Sequence, residues 1–91
     1  MAKNPFVPME RFIRSRMKDE GIKASIELEQ IGSYITLCIE DPNHELTAFH
    51  ANRVMELTAK ALLAEKLIAH VRPPTNLVYI LDGVVVNWER A

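Results

Sequence analysis

The stretch LVYILDGVVVNWERA, residues 77–91, decides how the C-terminal part of the chain folds. Asp82-Gly83 separates two apolar runs, and this spacing predicts a β-hairpin with a two-residue turn. Side chains alternate between the two faces of a strand. One face of the hairpin then carries Leu77, Tyr79, Leu81, Val84, Val86 and Trp88, and the other carries Val78, Ile80, Val85 and Asn87. Small antiparallel sheets usually keep one polar face, so this hairpin needs a cover on both sides.

The stretch from residue 24 to residue 40 predicts a second hairpin of a more ordinary kind. Apolar or small side chains alternate with mostly polar ones on both sides of Gly32-Ser33. The positions on the apolar face are Ala24, Ile26, Leu28, Ile35, Leu37 and Ile39. One face should therefore be buried, while Glu27 and Glu29 lie on the solvated face, where charges discourage aggregation between strand edges.

Two helices are predicted around the second hairpin. Residues 9–20 have apolar side chains at helical spacing, and Gly21 is placed to end that helix in a left-handed cap. A longer helix is predicted over residues 48–71, capped near Thr47 and stopped by Arg72-Pro73-Pro74. Residues 42–47 form either a turn with a short third strand or the beginning of that helix, and the pattern favours the strand.

These elements predict one domain over residues 1–91. The fold class is a small two-layer α+β domain in which an antiparallel sheet packs on one long helix. The order along the chain is α-β-β-(β)-α-β-β, with the strand in parentheses being the one near residue 45.

The charge is unevenly distributed along the chain. Residues 1–25 hold six basic and three acidic side chains, although the whole chain has a formal net charge of −1. Arg11, Arg14 and Lys18 share one face of the first predicted helix and are candidate contacts for nucleic acid or for an acidic partner. Three phosphate contacts would give weak, salt-dependent binding.

The sequence contains no pattern typical of catalysis or of cofactor binding. It has no glycine-rich phosphate loop, no HExxH and no nucleophile elbow. The residues that could serve as soft-metal ligands or nucleophiles are Cys38, His44, His50 and His70. Their spacing is unlike that of zinc ligands. We therefore predict no catalytic residue, cofactor, metal or small-molecule substrate, and we expect that the protein is not an enzyme.

The N-terminus has no apolar run of signal-peptide length, and no apolar run in the sequence could cross a membrane. A single cysteine excludes an internal disulfide and fits a reducing compartment. From these features we expect a cytoplasmic protein without a membrane partner.

Two groups of apolar residues lack a predicted cover. Val78, Ile80 and Val85 lie on the second face of the C-terminal hairpin. If these side chains stay exposed to solvent, the protein lacks roughly 4–9 kcal/mol of the hydrophobic stabilisation that their burial would give. Phe49, Leu63 and Leu67 interrupt the polar side of the long helix. The hairpin face is covered either by residues 5–17 of the same chain or by another molecule. Exposed apolar patches on small proteins often mark interaction sites, so these six residues are the predicted protein interface.

The function predicted from these features is binding to another protein without catalysis, either as a homodimer or as an inhibitor or adaptor. In its size, its lack of a catalytic motif and its mixed α+β build, the chain is similar to the small inhibitors that phages and mobile elements encode against host systems, the anti-CRISPR proteins among them. The alternative function is a nucleic-acid-binding regulator that uses Arg11, Arg14 and Lys18.

Overall fold

The structure, a computed structural model, describes residues 5–70 and 75–86. Its elements in chain order are α1 (Val7–Asp19), β1 (Ser25–Ile31), β2 (Tyr34–Glu40), α2 (Ala48–Ala64), β3 (Leu77–Leu81) and β4 (Val84–Val86). This arrangement confirms the predicted α+β class and both hairpins. The predictions for Val71, Asn87 and Trp88 lie outside the described residues.

The four strands form one mixed sheet in the order β1-β2-β3-β4. Both hairpins are antiparallel, but β2 and β3 are parallel, with Ile35 opposite Leu77 and Ile39 opposite Leu81. The sequence led us to expect a sheet that is antiparallel throughout. The parallel pairing of β2 with β3 shows that this part of the prediction was wrong. Two parallel neighbours need a long crossover between them, and α2 supplies it.

Both helices cover the same face of the sheet. Their fully buried side chains include Ile13, Met17, Val54 and Leu62. The strand residues that share this core are Ile26, Leu28, Ile35, Leu37, Ile39, Leu77 and Tyr79. The helical layer thus consists of two helices rather than one long helix, and the two of them bury a single face of the sheet.

Helix α1 also closes the outer edge of β1. The Glu10 carboxylate, only 6% exposed as a residue, accepts a hydrogen bond of 2.7 Å from the Leu28 N–H. Arg14 Nη2 donates a hydrogen bond of 2.8 Å to the Ile26 carbonyl. An edge strand otherwise presents free backbone groups to any other strand. These two side chains therefore satisfy backbone groups that no neighbouring strand can reach.

Helix α1 ends as its sequence predicted. Gly21 has a φ of +71°, in the left-handed region that glycine adopts without a Cβ penalty. The Ile22 N–H donates to the Met17 carbonyl over 2.8 Å, and the Gly21 N–H donates to the Lys18 carbonyl over 3.1 Å. These two bonds are the pattern of a Schellman cap.

Helix α2 ends at Ala64 and not near residue 71 as predicted. The same pair of cap bonds closes it, from Leu67 N–H to the Leu62 carbonyl (2.9 Å) and from Lys66 N–H to the Leu63 carbonyl (3.0 Å). Lys66 takes the left-handed position, with a φ of +61°. Seven more helical residues would extend the helix by about 10 Å, whereas the turn at Lys66 lets Ile68 join the core.

The segment from residue 41 to residue 47 contains neither the predicted short strand nor helix. The buried Asp41 carboxylate accepts hydrogen bonds from the backbone N–H groups of Glu45 (3.0 Å) and Leu46 (2.9 Å). The Asp41 N–H in turn donates to Asp82 Oδ1 over 2.8 Å. Helix α2 then begins after Thr47, whose hydroxyl caps the His50 N–H as predicted. In this loop the Asp41 carboxylate, and not a neighbouring strand, accepts the hydrogen bonds of the backbone N–H groups.

We expect Lys66→Gly to stabilise the protein by about 0.5–1 kcal/mol, because glycine removes the Cβ penalty of the left-handed cap position. Chemical denaturation would measure the free energy of unfolding. Lys60→Gly is the matched control, since Lys60 is exposed within α2 and the same change there should cost about 1 kcal/mol. A loss of stability in Lys66→Gly would contradict this account of the helix end.

We expect Glu10→Ala to destabilise the protein by about 1–3 kcal/mol, because the Leu28 N–H loses its acceptor beside a buried side chain. Glu10→Gln keeps an acceptor oxygen, so its loss of stability should be clearly smaller. Thermal and chemical unfolding of both variants would measure the difference. Equal losses in the two variants would mean that the hydrogen bond to Leu28 does not hold α1 on the edge.

Candidate protein-interaction surface

No described helix lies on the sheet face opposite α1 and α2, on which Thr36 is nevertheless buried. Strand alternation and the pairing register place a set of apolar or weakly polar side chains on it, here called the open-face strip: Ile31, Tyr34, Cys38, Val78, Ile80 and Val85. Val85 is 63% exposed, and Ile31 and Tyr34 are also more than half exposed. Val78, Ile80 and Cys38 are half-buried by their neighbours. Described residues of α1 do not cover the strip, since α1 lies on the other face.

The open-face strip runs diagonally across the sheet. It begins at the β1–β2 turn, where Ile31 pairs with Tyr34, and passes to Cys38, which lies beside Ile80. It ends on β4, where Val85 pairs with Ile80. Three strand spacings and four residues of rise give a diagonal of about 20 Å. The strip is therefore long and narrow.

Three carboxylates border the open-face strip on one side. Glu27 pairs with Cys38, and Glu29 pairs with Thr36 on the same face. Glu40 lies two residues beyond Cys38 along β2. Burial raises the pKa of the Cys38 thiol, and the charges of these three glutamates raise it further. Among the described strand residues of this face there is no lysine or arginine.

The β4 edge of the sheet differs from the β1 edge. The described part of β4 is Val84–Val86, and both Val84 and Val85 are 63% exposed although they point to opposite faces. No described side chain bonds to the backbone of β4 in the way that Glu10 bonds to β1. The apolar surface of the open face therefore continues around this edge.

The three helix residues predicted as interface do not form one patch with the hairpin residues. Phe49 is 75% exposed at the start of α2, and its ring lies 5.8 Å from that of His50. Leu63 lies fourteen residues later, about 21 Å along the helix axis, and Leu67 follows the helix end. All three are exposed as predicted, but they occupy the helical layer, opposite to the open-face strip.

An apolar groove lies between the two helices and was not predicted. It encloses about 380 Å³. Its lining comprises Pro5, Pro8, Met9, Phe12, Ala61 and Ala64, with Lys60 and Glu65 as the charged members. Phe12 is about half exposed there. Phe12 is one of the apolar side chains at helical spacing within residues 9–20, but that spacing could not show that α2 leaves a gap beside it.

The predicted basic stripe on α1 is only partly available to a partner. Arg14 donates to the Ile26 carbonyl and lies 4.0 Å from the Glu10 carboxylate. Arg11 and Lys18 are exposed. An ion pair between the helical segments lies elsewhere, where Arg53 of α2 meets Glu20 at 2.8 Å and lowers the pKa of that carboxyl. Arg14 thus has a structural role in addition to the contact predicted for it.

The remaining chemistry-bearing groups do not converge. No cluster of three or more potential metal ligands occurs within residues 5–70 and 75–86. Burial raises the pKa of Tyr79 to about 12, and its hydroxyl has no hydrogen-bond partner among the described residues. In the same part of the chain, no helix is long and apolar enough to span a lipid bilayer.

Sequence reasoning missed the members of the open-face strip that come from the first hairpin. Tyr34 and Cys38 were assigned to a mostly polar face, and Ile31 was given no role. The alternation did predict which side of the strand they occupy. The missing information was the position of β3 beside β2, which brings Cys38 next to Ile80. Glu27 and Glu29 were recognised as solvated, but not as the border of an apolar surface.

Comparisons with known proteins do not extend this description. No family model, no curated protein and no solved structure matches the chain.

We expect the Cys38 thiol to form a thiolate only at a higher pH than an unhindered cysteine, because burial and the acidic border both oppose the anion. The pH dependence of its alkylation by iodoacetamide would measure this. Glu27→Gln combined with Glu29→Gln should move the midpoint to lower pH. Asp19→Asn combined with Glu65→Gln removes two charges from the helical layer and should leave it unchanged. An identical midpoint in all three proteins would mean that the glutamates do not act on Cys38.

Proposed function

We propose that the protein acts without catalysis, by binding another protein through the open-face strip. The observation that carries this proposal is the contrast between the two faces of one sheet. Two helices bury the centre of one face, while the other keeps an apolar diagonal in contact with solvent. Contiguous exposed apolar surface is uncommon on small proteins unless it takes part in recognition.

The free energy that burial of the open-face strip would provide supports the same proposal. Full burial of a valine or isoleucine side chain is worth about 1.5–3 kcal/mol. Val78 and Ile80 already have part of this gain, so most of what is still available lies at Val85, Ile31 and Tyr34. A partner that covers these residues would bury the largest part of the open-face strip in one contact.

The class of inhibitor named above, encoded by a phage or mobile element against a host system, stays a prediction. It is supported by the small size of the chain. The proposed interaction surface also lies on the sheet face opposite to the helices, so a partner could bind there without disturbing the core between helices and sheet. Binding of nucleic acid by the basic stripe has weaker support, because Arg14 already bonds to β1.

The experiment that tests the proposal uses Cys38, the only cysteine of the chain, as a probe inside the open-face strip. A photoreactive benzophenone is attached to Cys38 through a maleimide, and the labelled protein is irradiated in an extract of its native cells. We expect a discrete cross-linked protein, and we expect Val85→Glu to abolish it because a charge replaces an apolar contact.

The matched control places the same label on the helical layer. The variant combines Cys38→Ser with Ser15→Cys, since Ser15 is exposed on α1. Circular dichroism must first show that every variant is folded. The proposal is overturned when position 38 gives no discrete product, when positions 38 and 15 give the same product, or when the only product is nucleic acid. A product with a second copy of this chain would support protein binding in the form of a homodimer.

A further inference from the structure

We infer that the occupant of the open-face strip is an amphipathic helix of a partner protein that carries basic residues along one flank. This inference rests on the proposed function and adds the chemistry of the partner. It is carried by the shape of the strip together with the one-sided position of the acidic border.

The dimensions of the strip fit a helix. A diagonal of about 20 Å corresponds to about thirteen helical residues, or between three and four turns. The width of two to three strands is about 10–14 Å, close to the diameter of a helix with its side chains. The other face of this same sheet is covered by helices, and a helix on the open face would complete a three-layer arrangement.

The charge pattern specifies one flank of that helix. Glu27, Glu29 and Glu40 all lie on the same side of the diagonal. They sit on the face that contains Cys38, whose pKa responds to all three. Lysine or arginine along the matching flank of a docked helix would pair with these carboxylates at the rim of the contact. Such rim charges favour the correct orientation and speed association more than they add affinity.

The same charges argue against a second copy of this chain as the occupant. In a two-fold dimer the open face would supply both sides of the contact. No described strand residue on that face is basic, so within the described strands the six carboxylates of two copies would meet no cation. A foreign partner with a basic flank avoids the repulsion between unpaired carboxylates.

The test uses two synthetic fourteen-residue peptides of the same helical pattern, one of leucine and lysine and one of leucine and glutamate. Their effect on the alkylation rate of Cys38 reports whether they cover the open-face strip. We expect the lysine peptide to protect Cys38 with an affinity that falls as salt rises, and we expect no protection by the glutamate peptide.

Two charge variants make the test specific. Glu27→Gln combined with Glu29→Gln should weaken binding of the lysine peptide by roughly two-fold to thirty-fold, the range for two exposed ion pairs. Asp19→Asn combined with Glu65→Gln is the matched control and should bind like the unaltered protein. Each rate is compared with that of the same variant without peptide, so that a change in the thiol itself is not counted as binding.

The outcomes separate this inference from the proposed function. Equal protection by both peptides, protection by neither, or no effect of the Glu27/Glu29 variant overturns the basic helix. A partner cross-linked at Cys38 would then still support protein binding through the strip. A cross-linked product that is a second copy of this chain likewise overturns the foreign helix. Loss of every cross-linked product would instead remove the proposed function on which the inference rests.

Discussion

The parallel pairing of β2 with β3 is the constraint on which the rest of this structure depends. Parallel neighbours cannot be joined by a tight turn, so the chain must cross over the sheet between them. The crossover contains α2, which lies on one face, and α1 packs on that face too. Because both helices are used on one side, the described chain has no element left for the other.

The same pairing composes the open face from two unrelated parts of the sequence. The first hairpin contributes Cys38 and the acidic border, and the second contributes the valines and Ile80. Neither hairpin alone carries the whole open-face strip beside the row of carboxylates. Their register across β2 and β3 creates that combination, and recognition of a partner would depend on it.

The two edges of the sheet show how the molecule controls where contact can occur. Glu10 and Arg14 bond to the backbone of β1. Those two backbone groups are then not available to pair with a strand of another molecule. The short β4 has no such cover in the described chain and keeps both Val84 and Val85 exposed. Of the two sheet edges, it is thus the β4 edge that keeps exposed apolar side chains and a backbone without a bonded side chain. Arg14, which was predicted to contact a partner, also donates a hydrogen bond to the backbone of β1.

The sequence by itself determined the local elements, because each depends on neighbouring residues. Alternation gave both hairpins, Asp82-Gly83 and Gly32-Ser33 gave their turns, and Gly21 and Thr47 gave helix ends. It also predicted that Val78, Ile80 and Val85 share a face. Only the tertiary structure decided that β3 runs parallel to β2 and that α2 ends at Ala64. It also decided that the uncovered face belongs to the whole sheet. Strand order and helix length depend on contacts between distant residues, and the pattern within a short segment carries no information about them.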